Sequence, residues 1–368
     1  MNKILSFIRK NTVTVIAFLA ATVTAFIVPP DKEYPGYFDF KTLSCLFCVL
    51  AVVCALKNIG FFYFLARATV RRFKTVRASV IALVCITFIG SMFIANDMAL
   101  LTFLPLGYII LSSTGEEGYL AFTFVMQNIA ANLGGMLTPF GNPQNLYLYT
   151  KFNIPDGEFM LIMLPPFLIS IALIILCCFV FIKPEEIKIK DEPFTLPKLR
   201  TSAYLLLFAL SIVIVFRGIP YYIGLIIIPA VLLFLDRKAL CKVDYPLLLT
   251  FVFFFIFSGN MARIGAVKNF FAFLLEKNTL LFSALSCQVI SNVPSAILLS
   301  QFTSDYTHLL VGVNIGGVGT LISSLASLIT FREYTSRFPG QIKRYLALFS
   351  VFSFGFLTVL TVLMLIIM

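Results

Sequence analysis

The chain is poor in the residues that most enzymes and metal sites use. Only 12% of its 368 residues are charged, and it has one histidine. A single histidine excludes the HExxH zinc proteases, and the sequence has no GxSG serine-protease motif. No GxxxxGK[ST] motif is present, which argues against direct ATP coupling. We therefore expect no catalytic residues, no resident cofactor and no enzyme activity.

Cysteine is present without the spacing of a disulfide framework. Seven of the eight cysteines fall in apolar segments. Cys45 and Cys48 would share a helix face, as a pair of metal ligands would. With one histidine and no acidic residue nearby, we interpret them as packing thiols and expect no metal ligand set.

Apolar residues dominate instead, at 60% of the chain with a mean hydropathy of +0.98. Several apolar runs approach the ~20 residues that a helix needs to cross ~30 Å of hydrocarbon. The net charge of +11 lies in short loops between these runs, as the positive-inside rule predicts. The pattern predicts a multi-pass protein of the cell membrane with a cytoplasmic N-terminus, whose surroundings are lipid rather than nucleic acid. The first apolar run has no clear cleavage site, so we interpret it as a retained helix.

Two stretches of the chain are versions of one another: ANLGGMLTPFGNPQNL (131–146) and VNIGGVGTLISSLASL (313–328). Each interrupts an apolar segment with an asparagine, a glycine pair and a threonine. These residues are Asn132, Gly134, Gly135 and Thr138 in the first stretch, and Asn314, Gly316, Gly317 and Thr320 in the second. Matching interruptions in two halves of a membrane protein indicate a transporter binding site.

Short apolar arms precede each interruption. The arms 79–95 and 98–112 break at Asn96–Asp97, and the arms 279–291 and 295–303 break at residues 291–294. A 15-residue arm reaches only ~23 Å, which predicts re-entrant hairpins, although charge alone leaves two short crossings open. The odd number of crossings in the first repeat gives the segments 57–149 and 262–330 opposite orientations, and inverted repeats of this kind permit alternating access.

The predicted organisation has five parts. They are N-terminal scaffold helices (1–56), a first inverted repeat (57–183) with hairpin 79–112 and broken helix 119–149, a cytoplasmic linker (184–200), further scaffold helices (201–258), and a second repeat (259–368) with hairpin 279–303, broken helix 307–330 and a last helix. The fold class is therefore all-α and polytopic.

Asparagines occupy both predicted hairpin tips. The amide oxygens of Asn96 and Asn292 can coordinate a cation such as sodium, their nitrogens can donate to an anion, and either residue can simply cap its helix. Asp97 brings an acid into an apolar stretch, where such residues are costly and are candidates for function. It is our candidate for coupling to a proton or a cation, with a structural pairing as the alternative.

Uncharged polar residues fill the two interruptions. Asn142, Gln144 and Asn145 lie in the first, and Thr320, Ser323, Ser324 and Ser327 in the second. Such a lining suits a small anion or a neutral oxyacid. Hydrogen bonds between helices are the other reading of these side chains.

At these residues the sequence resembles the ion transporter superfamily, in particular its arsenite permease and citrate transporter branch. Four motifs occur in the right order: ANDMALLTFLP, NIAANLGGMLTPFGNPQNLYL, SNVPSAILL and VGVNIGGVGTLISSLASL. The resemblance implies a scaffold, a transport subdomain that moves as an elevator, and often a homodimer. It also implies a site between the tips and the breaks, with Asn96, Asp97, Asn132, Thr138, Asn142, Asn292, Asn314 and Thr320 near the substrate or coupling ion. The tips lack the Ser-Asn-Thr of the dicarboxylate branch, which argues against sodium-coupled dicarboxylate transport.

The leading hypothesis is a secondary active transporter for a small inorganic or carboxylate anion, or an oxyacid, coupled to protons or sodium. The first alternative is a monovalent cation–proton antiporter on the same fold. A passive channel and an intramembrane enzyme are weaker alternatives.

Overall fold

Helices form nearly all of the chain in this computed structural model, which describes residues 11–70, 72–186 and 195–368. Within these residues there are seventeen α-helices and no strand, only an isolated antiparallel bridge between Thr75 and Glu186. A helix satisfies its backbone hydrogen bonds internally, which is what a segment in hydrocarbon requires.

The first half of the chain contains eight α-helices. They are α1 (Thr12–Ile27), α2 (Phe40–Asn58), α3 (Phe61–Val70), α4 (Val76–Ile94), α5 (Asn96–Ser113), α6 (Leu120–Gly134), α7 (Pro143–Lys151) and α8 (Asp156–Phe181).

The second half contains nine. They are α9 (Lys198–Val215), α10 (Tyr221–Leu235), α11 (Arg237–Cys241), α12 (Tyr245–Ala262), α13 (Gly265–Ile290), α14 (Asn292–Leu299), α15 (Tyr306–Ile315), α16 (Leu325–Arg337) and α17 (Ile342–Ile367).

Nine helical stretches among the described residues are long and apolar enough to cross a bilayer. The stretch that contains α6 is 94% buried within the protein, whereas those of α8 and α17 are 28% buried. The apolar surface of α8 and α17 therefore suits lipid, and α6 forms the centre of the bundle. The prediction of an all-helical polytopic membrane protein is confirmed.

The hairpin arms differ in length from the prediction. Helices α4 and α5 have 19 and 18 residues, so at 1.5 Å per residue each reaches ~27 Å or more. The return arm of the second hairpin, α14, has only 8 residues. The first arm of this hairpin is the second part of a longer helix, α13, which is interrupted by a non-helical residue at Asn278.

The helices pack in two groups. In one group α1 lies against α12, while α9 and α10 lie against α2. In the other, α6 contacts α4 and α5, and α13 contacts α15. The groups meet where α14 contacts α12 and where α7 contacts α2. The pieces that carry the tips and breaks therefore adjoin the helices predicted as scaffold.

The same succession of elements occurs in both halves. A long helix (α2, α12) leads to a short segment (α3, the first part of α13), then to a hairpin (α4–α5, the second part of α13 with α14). A broken helix follows (α6–α7, α15–α16), and a long apolar helix (α8, α17) ends each series.

Candidate functional site

The two hairpin tips adopt the same unusual backbone conformation. Ala95 has φ 58° and ψ 147°, and Ser291 has φ 75° and ψ 157°. Positive φ values are uncommon for residues with a Cβ atom and cost roughly 1–3 kcal/mol unless the surroundings enforce them. Two corresponding residues in this conformation indicate that both tips are built to the same design.

The asparagine after each strained residue is the first residue of the helix that follows. The Asn96 Oδ1 atom accepts from the Asp97 amide at 2.8 Å, and the Asn292 Oδ1 atom accepts from the Val293 amide at 2.9 Å. Each side chain thus pairs one amide in the first turn of its own helix. Asn96 also donates through Nδ2 to the Oδ1 atom of Asn132 at 3.3 Å. This bond links the first tip to the first break, the interruption at 131–146; the second break is the interruption at 313–328.

The threonine of each break binds the arm of its own hairpin. Thr138 donates to the carbonyl oxygen of Met92 at 2.6 Å, and Thr320 donates to that of Gln288 at 3.1 Å. Met92 and Gln288 each lie three residues before their strained tip residue. These two hydroxyls thus hold the hairpins against the breaks.

The glycine pairs allow the same close approach. A Cβ atom on Gly134 would lie 2.1 Å from the carbonyl oxygen of Phe88, and one on Gly316 would lie 2.9 Å from the Cα atom of Ala284. Next to them, a Cβ atom on Gly135 would lie 2.3 Å from Asn142 Oδ1, and one on Gly317 would lie 2.9 Å from Asn292 Nδ2. Only glycine fits where arm and break meet this closely.

Side-chain amides satisfy the carbonyl groups at the end of each first half-helix. Asn145 donates to the carbonyl oxygens of Gly135, Met136 and Thr138 at 3.1 to 3.3 Å. In the second break Gln288 donates to the carbonyl oxygen of Gly316 at 2.8 Å and accepts from the Thr320 amide at 2.9 Å. The free backbone groups of both breaks are thereby paired, as buried polar groups require.

The asparagines of the two breaks form one buried network. Asn314 donates to Asn145 Oδ1 at 2.6 Å and to the Leu310 carbonyl at 2.8 Å. Its own Oδ1 atom accepts from Asn142 and from Gln144, each at 3.3 Å. Ser323 lies beside this network and donates to the Gly317 carbonyl oxygen at 2.9 Å. The two breaks are therefore joined directly by side chains.

A cavity of about 1250 Å³ lies in front of this network. Six helix N-termini line it: those of α5 (Asn96–Met98), α7 (Pro143, Gln144), α14 (Asn292–Pro294) and α16 (Leu325), which belong to the tips and breaks, and those of α1 and α12. The cavity is also lined by Lys57, the exposed Cys241, Lys242, Arg332 and the acidic Glu333. Helix N-termini carry partial positive charge, so their convergence favours an anionic occupant.

None of the last residues of α4, α6, α13 and α15 lines this cavity in the described part of the chain. Those C-terminal ends, which carry partial negative charge, lie behind the tips and breaks. The half-helices therefore present their positive N-terminal ends to the cavity, which is also lined by the C-terminal residues Asn58 of α2 and Cys241 of α11.

Asp97 brings the acidic group of the first tip to the cavity wall. Its Oδ1 atom is buried and accepts no hydrogen bond from the described residues. An acidic residue of the other helix group, Asp244, lines the same cavity. A carboxylate oxygen without a donor is costly to bury. A bound proton, a cation or a ligand hydroxyl would remove this cost.

The predicted site residues thus fall into two classes. Asn96, Asp97 and Asn292 line the cavity. The others belong to the packed layer behind it: Asn132, Gly134, Gly135, Thr138, Asn142, Asn145, Asn314, Gly316, Gly317, Thr320 and Ser323. The predicted site does not include Gln288, because a lone glutamine in an apolar helix belongs to no motif. It also does not include Gln144, because nothing in the sequence distinguishes this residue from its polar neighbours.

Comparison with known proteins agrees with this architecture. The sequence model described as citrate transporter matches residues 4–306, which include both hairpins and the first break. The chain belongs to this family. The match ends before the second break, so that region extends beyond the part shared with the family model.

Relatives of this citrate transporter family member are also named as membrane or transport proteins. It is 34% identical to the uncharacterized transporter MJ0456 of Methanocaldococcus jannaschii, over 80% of this chain and 81% of that protein. It is 30% identical to the inner membrane protein YbiR of Escherichia coli, over 85% of each. The silicon efflux transporter LSI3 of Oryza sativa is 29% identical over 41% of this chain and 31% of its own length. Family and names indicate a membrane transporter rather than an enzyme.

Proposed function

We propose that the protein is a secondary active transporter that moves a small anion or oxyacid across the cell membrane. The N-termini of the half-helices at both tips and both breaks line one cavity, which supports this assignment. Their partial charges attract an anion without requiring a fixed cationic side chain at the tips. A relative named for silicon efflux is consistent with a small inorganic solute.

Alternating access would use the two halves as inverted repeats, with α4–α8 and α13–α17 moving as an elevator against α1, α2 and α9–α12. The matched tips, threonine contacts and glycine contacts support a repeated unit. The cavity extends to Lys57, Lys242 and Arg332, which lie in segments that the positive-inside rule assigns to the cytoplasm. We therefore infer an inward-facing state with a cytoplasmic N-terminus.

Asp97 is the coupling group in this proposal. Protonation or a bound sodium ion would neutralise its carboxylate when the tip moves past the other helix group. Without neutralisation, the carboxylate would be carried through a low-dielectric environment and would face Asp244, and both are costly. A sodium site near Asn96 and Asn292 would use the side-chain oxygens that now accept from the amides of Asp97 and Val293.

Uptake into proteoliposomes tests the function and the coupling together. We expect uptake of a small anion to depend on an imposed proton or sodium gradient. The Asp97→Asn variant should abolish that dependence and reduce gradient-driven uptake by about 100-fold, because the amide cannot exchange a proton. Unchanged uptake with unchanged gradient dependence in this variant would remove Asp97 from the coupling mechanism.

The second candidate is a monovalent cation–proton antiporter, which the unpaired oxygen of Asp97 favours. Sodium-dependent pH changes in everted vesicles without any added anion would support it over anion transport. A homodimer, implied by the family resemblance, is tested by the molar mass of the purified protein in detergent.

A further inference from the structure

The cavity wall contains acceptors as well as positive helix ends. Gln144 is 1% exposed, lines the cavity, and has an Oε1 atom that is buried without a partner among the described residues. Asp97 Oδ1 is a second acceptor of this kind on the same wall. A buried acceptor without a donor costs about 1–3 kcal/mol in general, and a ligand that supplies the donors removes that cost.

The network fixes which end of the Gln144 amide is left without a partner. The Leu310 carbonyl can only accept, so Asn314 must place its nitrogen there, at 2.8 Å. The Oδ1 atom of Asn314 therefore faces Gln144 at 3.3 Å and requires a donor from it. Gln144 must present its nitrogen to Asn314, which leaves its oxygen without a partner in the network.

We propose that the site selects an oxyacid that retains at least one hydroxyl hydrogen, which donates to Gln144 Oε1 and Asp97 Oδ1. This inference rests on the proposed anion transport and narrows its substrate class. Backbone amides at the helix N-termini donate to the acceptor oxygens of such a ligand, and Gln144 and Asp97 accept from its hydroxyl group. A fully ionised anion without a hydroxyl would leave both acceptors unpaired.

Matched ligand pairs isolate this effect, because their members differ mainly in the donor. Phosphate keeps a hydroxyl at neutral pH, whereas sulfate of similar shape does not; citrate has a hydroxyl that tricarballylate lacks. We expect phosphate to bind the purified protein at least about tenfold more tightly than sulfate, with the same preference in the citrate pair if that size is accepted. Isothermal titration at constant sodium and pH measures these affinities.

Two variants test the assignment to these residues. Gln144→Met removes the acceptor at similar volume and should reduce the preference for phosphate by about tenfold. Asp97→Asn can turn an amide N–H toward the ligand, so sulfate should gain affinity relative to phosphate. Gln127→Met is the matched control, because Gln127 is also fully buried with an unpartnered Oε1 atom but does not line the cavity; its preference should equal that of the native protein.

The outcomes separate the two proposals. If sulfate binds as tightly as phosphate, and tricarballylate as tightly as citrate, the hydroxyl requirement is wrong while anion transport stands. A phosphate preference that persists in both Gln144→Met and Asp97→Asn would also overturn it. If none of the four anions binds or is transported, the proposed function fails as well. Thermal unfolding of each variant shows whether it is folded, and the Asp97 variant provides the test if Gln144→Met does not fold.

Discussion

The two breaks pair the same free backbone groups with side chains from different places. Asn145, which closes the first break, belongs to the second half of that broken helix. Gln288, which closes the second, belongs to the hairpin arm α13. The carbonyl groups at the end of the first half-helix are therefore paired from within the break in the first case, and from the docked hairpin in the second.

The tips show the same contrast. At the second tip the Asn292 amide donates to the Ser323 carbonyl at 2.9 Å, which is a backbone bond to the break. At the first tip the hydrogen bond to the break runs between side chains, from Asn96 to Asn132 at 3.3 Å. The acidic residue thus lies on the tip that is less directly attached, and the uncharged Val293 on the other.

The largest expected difference between the halves concerns their glycines. Gly134→Ala would place its Cβ atom 2.1 Å from the backbone oxygen of Phe88, so the arm itself must move. Gly316→Ala would meet the Cys287 side chain at 2.8 Å and backbone atoms at 2.8 to 2.9 Å. We expect the free energy of unfolding to fall by about 3 kcal/mol or more in the Gly134→Ala variant and by about 1–2 kcal/mol in the Gly316→Ala variant. Thermal unfolding in detergent measures both, and an equal loss would show that the arms are docked equally closely.

Removal of the closing amides is expected to have the next largest effect. Asn145→Leu and Gln288→Leu each leave buried carbonyl groups without donors, at a cost of about 2–3 kcal/mol. Hydrogen exchange distinguishes them: the first variant should expose amides of 135–146 only, and the second should expose both the hairpin tip and residues 316–323. Exchange confined to 316–323 in the second variant would contradict the dependence of that break on its hairpin.

Relief of the strained tips should have a smaller effect of the opposite sign. Ala95→Gly removes the unfavourable contact of a Cβ atom at φ 58° and should raise stability by about 1 kcal/mol, net of the greater freedom of glycine in the unfolded chain. Ser291→Gly also loses hydroxyl contacts to the Ser323 carbonyl at 3.3 Å and to Asn292 at 3.4 Å, so its gain should be less. A lower unfolding temperature for Ala95→Gly would show that the first tip is not strained.

The smallest expected effect comes from an exposed charge contact between the halves. Arg263 donates to Asp31 at 2.7 Å, and this hydrogen bond lowers the pKa of the Asp31 carboxyl. Because the folded pKa is lowered, its stabilising contribution is present above the ordinary aspartate range and is lost as the pH falls through the lowered pKa. Arg263→Gln should remove this part of the acid dependence of the unfolding temperature. An unchanged acid dependence would show that the pair contributes nothing.

The sequence was sufficient to predict most of the fold, since its signals are local. The apolar runs correspond to helices, and the interruptions predicted at Asn96–Asp97, 131–146, 291–294 and 313–328 fall at or around helix ends. Partners far apart in the chain could not be predicted in this way. Thr138 and Thr320 were assigned near the substrate, yet their hydroxyls bind carbonyls 46 and 32 residues away. The orientation of the Gln144 amide likewise depends on hydrogen bonds to residues far away in the sequence, which run from the Leu310 carbonyl through Asn314 to Gln144.

The exposed Cys241 lines the cavity, whereas the other seven cysteines are buried or half-buried. A thiol-reactive fluorophore should therefore attach there first, without any engineered residue. Its emission would report on the polarity of the cavity mouth, so a single native thiol offers a way to follow opening and closing in real time.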